Sequence, residues 1–418
     1  MNRKIVIIPA TIIILLLIGV GLYFSFNKPS TRPTGGLFPG GGQPIGGGSP
    51  TGKDGEVNVA VNFDDKTHPE ATRLHELHKT PVAGVSFIEN SDHQQYARYI
   101  ERGLGHIYET FLATLAETRI SNETHAELGE ALWGNGGKSV LIRYVDTANS
   151  GAIKTRILNM GGPMPSFAGA SSTNTFMRVD QLFLPDFIPF VAPSEDASDK
   201  LFYLENSASS AFGSTVTWRG VSTASIFSST FTEWLPQFPN QNLVTLTTRP
   251  SANIPGYSFF LNTKTRAVTK ILSGINGLTT KTSRDGKTVL YTETKNSAPT
   301  LYTYDILKKS VRALSLQTLS EKCAWSAKHV TVVYCAVPQT LPQAIYPDQW
   351  YQGLVSFSDS VWKIDTATGV TENIFTPPSL DIINPVLSSD DSYFLFMNKV
   401  TGTPWVYRLG ELAPSAQN

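Results

Sequence analysis

A short phrase, a tight polar turn followed by an apolar strand, returns along this 418-residue chain. Its fullest copy is Ser283-Arg284-Asp285-Gly286-Lys287-Thr288-Val289-Leu290-Tyr291. Related copies occupy 135–142, 194–203, 239–244, 326–334 and 388–395, and a weaker one begins at Asn90. Equivalent turn positions are separated by about 45, 60, 45, 44, 43 and 62 residues. Four of these steps suit a unit of four short strands. A unit of that size cannot bury its own faces, so seven copies must stack on one another.

The fifth copy shows the unit most clearly. Thr279 to Thr282 reads as an inner strand, and Thr288 to Glu293 is rich in β-branched residues. Thr300 to Asp305 alternates with period two, and Val311 to Leu314 follows a polar connection. Alternation of this kind marks half-buried strands. The pattern predicts an all-β, seven-bladed β-propeller, with six or eight blades as the alternatives. Ser-x-Asp-Gly-Lys, an apolar strand and then Leu-Tyr-x-x-Asp resembles the repeat of TolB-like and WD40-like propellers. The resemblance covers residues 71 to 410 as an architecture and carries no catalytic residues with it. TolB has six blades and a separate N-terminal domain, whereas seven units and an N-terminal apolar run are read here.

A propeller has to close, because open sheet edges invite aggregation. The last unit, Ile382 to Leu387, Tyr393 to Asn398 and Trp405 to Leu409, has only three strands. The segment 71–77 is patterned like the fourth strands at 266–272 and 310–314. It is expected to complete blade seven beside the C-terminal strands. The two long steps locate two insertions. One, 159–175, should join third and fourth strands, and the other, 336–353, should join second and third strands on the opposite face.

Residues Ile5 to Phe26 form a nearly unbroken apolar run behind Arg3 and Lys4. At about 1.5 Å per residue a helix of this length spans a bilayer. The flanking cations place residues 1–4 in the cytoplasm and the rest outside. A cleaved signal peptide is the rival, but the run ends in bulky Leu22-Tyr23-Phe24-Ser25-Phe26. Residues 27–55 are rich in Gly, Pro, Ser and Thr and read as a tether. The propeller is then expected within 56–410, with 411–418 as a tail. The localisation that follows is a single-pass cell membrane protein with an extracytoplasmic propeller. With 34 basic and 34 acidic residues the chain lacks the basic surface that nucleic-acid binding needs.

The two cysteines, Cys323 and Cys335, flank a hairpin turn in blade six. Their register looks slightly off opposite, which leaves a disulfide and two buried thiols both open. Catalytic signals are absent: there is no Gly-x-Ser-x-Gly elbow, no phosphate-binding glycine loop and no zinc-like spacing. No cofactor or metal is implied. His75-Glu76-Leu77-His78 hints at a metal, but on a strand residues three apart face opposite sides. Asp285, Asp390 and Asp391 invite a glycosidase analogy, yet Asp in such turns caps its own backbone. Phe231 to Pro236 reads as aromatic packing between blades.

The strongest binding candidate is the aromatic insertion, with Tyr346, Asp348, Trp350 and Tyr351 as its contact residues. Aromatic side chains give contact area at low entropic cost, although Tyr346 and Trp350 would equally serve to cover a neighbouring blade. The expectation is a membrane-anchored scaffold that binds a protein or envelope ligand. The alternatives are an envelope enzyme acting on glycans or peptides at the channel, and a structural subunit of a secretion or pilus-like assembly.

Overall fold

In a computed structural model the described residues are 73–147, 151–163 and 176–410. The apolar run, the tether and the C-terminal tail all lie outside them. Among the described residues no helix is long and apolar enough to cross a membrane.

Seven four-stranded antiparallel sheets are present. Six of them run in chain order from an inner to an outer strand. Their inner strands are Val82–Glu89, Leu128–Gly134, Phe190–Pro193, Trp234–Asn240, Thr279–Thr282 and Cys323–Trp325. The seventh starts from Ile382–Leu387 and is finished by Leu74–Glu76, which pairs antiparallel with Pro404–Arg408. Leu74 stands opposite Tyr407 and Glu76 opposite Trp405. The ring is thus closed by a strand from the other end of the chain, as its pattern predicts.

Burial explains why these segments are strands. Second strands are the most apolar, and Thr288–Lys295 buries four consecutive residues. The third strand, Ala298–Asp305, alternates buried and half-buried. The fourth, Ser310–Gln317, is mostly exposed. Apolar clusters fill the gaps between neighbouring blades. Trp234, 6% exposed, packs between Phe227 of blade three and Phe259 of its own blade.

The recurring phrase is a hydrogen-bonded turn. The Ser283 hydroxyl donates to Asp285 Oδ1 at 2.7 Å, and Thr288 N–H donates to Ser283 Oγ at 3.0 Å. Gly286 completes it at φ +71°, a left-handed conformation that glycine adopts without strain. Blade seven repeats the geometry with Ser388 and Asp390. Blade six has Lys328 where the phrase has Asp285, and its turn is completed from outside. Asp391 of blade seven accepts from Ala327 N–H at 2.9 Å and from the Ser326 hydroxyl.

Both insertions fall between the expected strands, but their bounds differ: 159–163 belongs to the strand Ala152–Pro163, 336–338 to Val332–Pro338, and the second insertion continues past 353. Residues 164–175, outside the described set, separate the third and fourth strands of blade two. Residues 339–358 separate Val332–Pro338 from Asp359–Asp365, the second and third strands of blade six.

Candidate functional site

The 339–358 insertion folds back over the end of the channel where the inner strands begin. It contains one helical turn, Asp348–Tyr351. Each of the four candidate residues is used in seating it. Tyr346 and Trp350 are both 1% exposed and join one apolar cluster with Val82 of blade one and Leu395 and Val406 of blade seven. Asp348 Oδ2 accepts from Ala252 N–H of blade four at 2.8 Å. The Tyr346 carbonyl accepts from the Thr294 hydroxyl of blade five at 2.8 Å. Tyr351 donates its hydroxyl to Glu321 Oε2 at 2.7 Å. Of the two roles open to Tyr346 and Trp350, both take the inward, covering one, while Asp348 and Tyr351 are half-buried and held by hydrogen bonds to neighbouring segments. The reason is energetic, since two large aromatic rings gain more by covering the joint between blades than by standing in water.

Beneath Trp350 lies a group of charges that the strand patterns do not signal. Lys322 Nζ is 2.6 Å from Asp381 Oδ1 and 2.9 Å from Asp359 Oδ2, and all three side chains are sealed from solvent. Trp350 Nε1–H donates to Asp381 Oδ2 at 3.0 Å, and Phe357 N–H donates to the same oxygen at 3.0 Å. The Trp350 and Phe357 rings stack with centroids 5.8 Å apart, each centroid 4.9 Å from Lys322 Nζ. Lys399 Nζ lies 4.3 Å from the Trp350 ring centroid and donates to the Trp350 carbonyl.

Burial dominates the electrostatics. It pushes the Asp359 carboxyl up to about 6 against the pull of Lys322. It pushes Glu321 up to about 7 against the Tyr351 hydrogen bond. It pulls the Lys399 ammonium down to about 8. For Lys322 burial pulls down as well, but Asp359 and Asp381 together outweigh it and the ammonium is held above its usual value.

The channel opens differently at its two ends. At the capped end a cavity of about 210 Å³ is lined by Glu130, Gln237, Glu321, Lys322 and Trp350 among others. At the other end a cavity of about 570 Å³ is rimmed by turn residues, including Glu89, Lys138, Asp196, Arg284 and Ser388. The Asp residues of the repeated phrase are consumed in their turns. Burial alone would raise Asp390, but the hydroxyls of Ser392 and Ser388 outweigh it and hold its carboxyl well below the usual range.

His78 turns to Glu117, 2.6 Å away. Among the described residues no three His, Cys, Asp or Glu converge as a metal site. Cys323 and Cys335 are direct partners across the inner pair of blade six, not offset, and are joined by a disulfide with Cα atoms 4.0 Å apart.

Of the functional-looking groups, sequence reasoning missed Glu321, Lys322, Asp359, Asp381 and Lys399. One signal was available. Charge is sparse, at 16% of residues, yet Lys322, Asp359 and Asp381 each sit at or beside the first residue of an apolar strand.

The sequence matches no protein family and no curated relative. Solved structures do resemble it. Hydrazine synthase from Kuenenia stuttgartiensis superposes with a TM-score of 0.51 at 11% identity, covering 79% of this chain and 97% of that one. An oligogalacturonate lyase from Vibrio parahaemolyticus gives 0.50 at 10% identity, covering 81% and 94%. TolB from Acinetobacter baumannii gives 0.41 at 14% identity, covering 78% of each chain. Likeness at these identities concerns the fold alone, a β-propeller.

Proposed function

We propose that this protein is a tethered extracytoplasmic scaffold whose capped face docks a protein partner of the cell envelope. The observation that carries this reading is the rigidity of the cap. Hydrogen bonds to blades four and five and the bond from the Trp350 indole to Asp381 pin the insertion, and it still holds Ile345 48% exposed and Leu354 67% exposed. Apolar side chains presented on a fixed frame lose little entropy on docking. The anchor Ile5–Phe26 and the tether at 27–55 supply the membrane attachment, and the Cys323–Cys335 disulfide suits a compartment without a thiol pool.

The test is affinity capture from gently crosslinked membranes with wild type and with an Ile345→Glu/Leu354→Glu double variant. Deleting the whole insertion would remove Trp350 and confound folding with binding, whereas these two side chains face solvent. A partner retained by wild type and lost by the folded variant supports the reading. An identical partner set for both overturns it.

A further inference from the structure

We propose that Lys322 and Asp359 form an intramolecular isopeptide bond, with Asp381 as the proton-accepting group. Charge balance around Lys322 constrains the protonation of its two carboxyl partners. One ammonium and two carboxyls are enclosed together with no solvent contact, an arrangement that favours a proton on one carboxyl. The hydrogen bonds show which. Asp381 accepts from Lys322, from the Trp350 indole and from Phe357 N–H, so both its oxygens are engaged as a carboxylate's would be. Asp359 Oδ2 accepts from Ile382 N–H at 2.7 Å and faces Lys322 Nζ, but its Oδ1 is buried with no hydrogen-bond partner. An orphaned buried oxygen is costly as part of an anion and less so as a neutral carboxyl. The upward push on the Asp359 carboxyl agrees with that assignment.

Geometry then supplies the reaction. The 2.9 Å contact holds Nζ beside the Asp359 carboxyl, and attack requires the carboxyl to turn its face toward the nitrogen. Lys322 Nζ transfers one proton to Asp381 and becomes nucleophilic. It attacks Cγ of the neutral Asp359 carboxyl, forming the Nζ–Cγ bond. The Cγ–Oδ1 bond breaks, and the Oδ1 hydroxyl leaves as water with a second proton from Nζ. One amide N–H remains, and Asp381 holds the first proton. No oxidant or co-reactant is needed. The two carboxyls and the rings favour the ammonium, so the proton transfer to Asp381 is the uphill step, and the stacked Trp350 and Phe357 rings keep bulk water from the amide once it forms. The bond would tie the entry of the Cys323–Trp325 strand to the first residue of the Asp359–Asp365 strand, where the cap rejoins the blade.

The decisive experiment is peptide mass spectrometry of purified full-length protein. Trypsin should release Ala313–Lys328 and His329–Lys363, which carry the two residues. The disulfide joins the same two segments, so reduction and alkylation come first. The expected product is one branched peptide about 18 Da lighter than the two together, with no cleavage at Lys322. Asp359→Ala should restore cleavage at Lys322 and give three separate peptides, Ala313–Lys322, Cys323–Lys328 and His329–Lys363, and Asp381→Asn should lower the branched fraction at least tenfold. Cleavage at Lys322 and three separate, unmodified peptides from folded wild-type protein overturn the proposal, whatever the variants do.

Discussion

The joint between blades four and five and the joint between blades six and seven solve one packing problem with different chemistry. At the first, neutral groups interlock. Thr245 meets Thr282 at 2.8 Å, Thr247 meets Thr280 at 2.7 Å, and Gln237 accepts from Thr282 N–H at 3.0 Å. At the second, Lys322 spans to Asp381 and to the Ile382 carbonyl at 2.7 Å, and Asp391 reaches back to complete a neighbour's turn. Hydroxyl pairs are inexpensive to bury and individually weak. A buried ion cluster is worth little net if complete and fails badly if one member is lost. The ring therefore has one joint tolerant of substitution and one that is not, and the intolerant joint is the one beneath the cap.

The largest effect should come from Lys322→Ala. It leaves Asp359 and Asp381 without their buried partner, whether ammonium or amide nitrogen, and urea unfolding should show a loss of about 3–5 kcal/mol. A loss below about 1 kcal/mol would mean that the charges relax into neutral pairing, and the contrast between the joints would vanish. Next is Cys323→Ala with Cys335→Ala. Removing the cross-link over a short loop should lower stability by about 2–3 kcal/mol, read as a lower urea midpoint. Wild type under reductant should match that variant. At the neutral joint Thr282→Val should cost only about 1 kcal/mol, because it breaks one hydroxyl pair and keeps the side-chain shape. A cost above about 3 kcal/mol would show that the hydroxyls act as a cooperative network.

The same contrast explains what was legible in the sequence. Thr279–Thr282 and Ile382–Leu387 are read correctly to the residue, because period-two burial and turn chemistry both act locally. Ring closure by 74–76 is legible because a missing fourth strand at one end matched a spare strand at the other. The cap is legible as an insertion and as aromatic, and its inward role for Tyr346 and Trp350 is legible only as one of two alternatives. What turns Trp350 inward is Asp381, 31 positions away in sequence. Lys322, Asp359 and Asp381 leave no periodic trace, since each lies at a strand boundary and their meeting depends on two blades being neighbours. Asp391 looked like one more turn aspartate until the turn it serves proved to belong to blade six.

The smallest effect concerns pH, and it separates the cap from the turns by sign. Burial raises Glu321 from 4.5 to about 7, so between these values the folded protein binds more protons at this site than the unfolded chain. Stability from this group falls as pH rises through that window. The turn aspartates act oppositely. Asp390 is held below 3.8, so its contribution is present above that value and is lost as pH falls through the lowered one. Acidification from pH 7 to 5 should therefore strengthen the cap while leaving the turns unchanged. Because Glu321 is only half-buried, solvent screening reduces the effect to a few degrees in Tm at most. Glu321→Gln keeps a partner for the Tyr351 hydroxyl and removes the titration. Thermal unfolding should show variant and wild type equal near pH 4.5 and the variant ahead near pH 7.5. Parallel curves across the whole range would mean that Glu321 titrates as an ordinary surface carboxylate, and that the cap end of the channel is wetter than its buried aromatic seat implies.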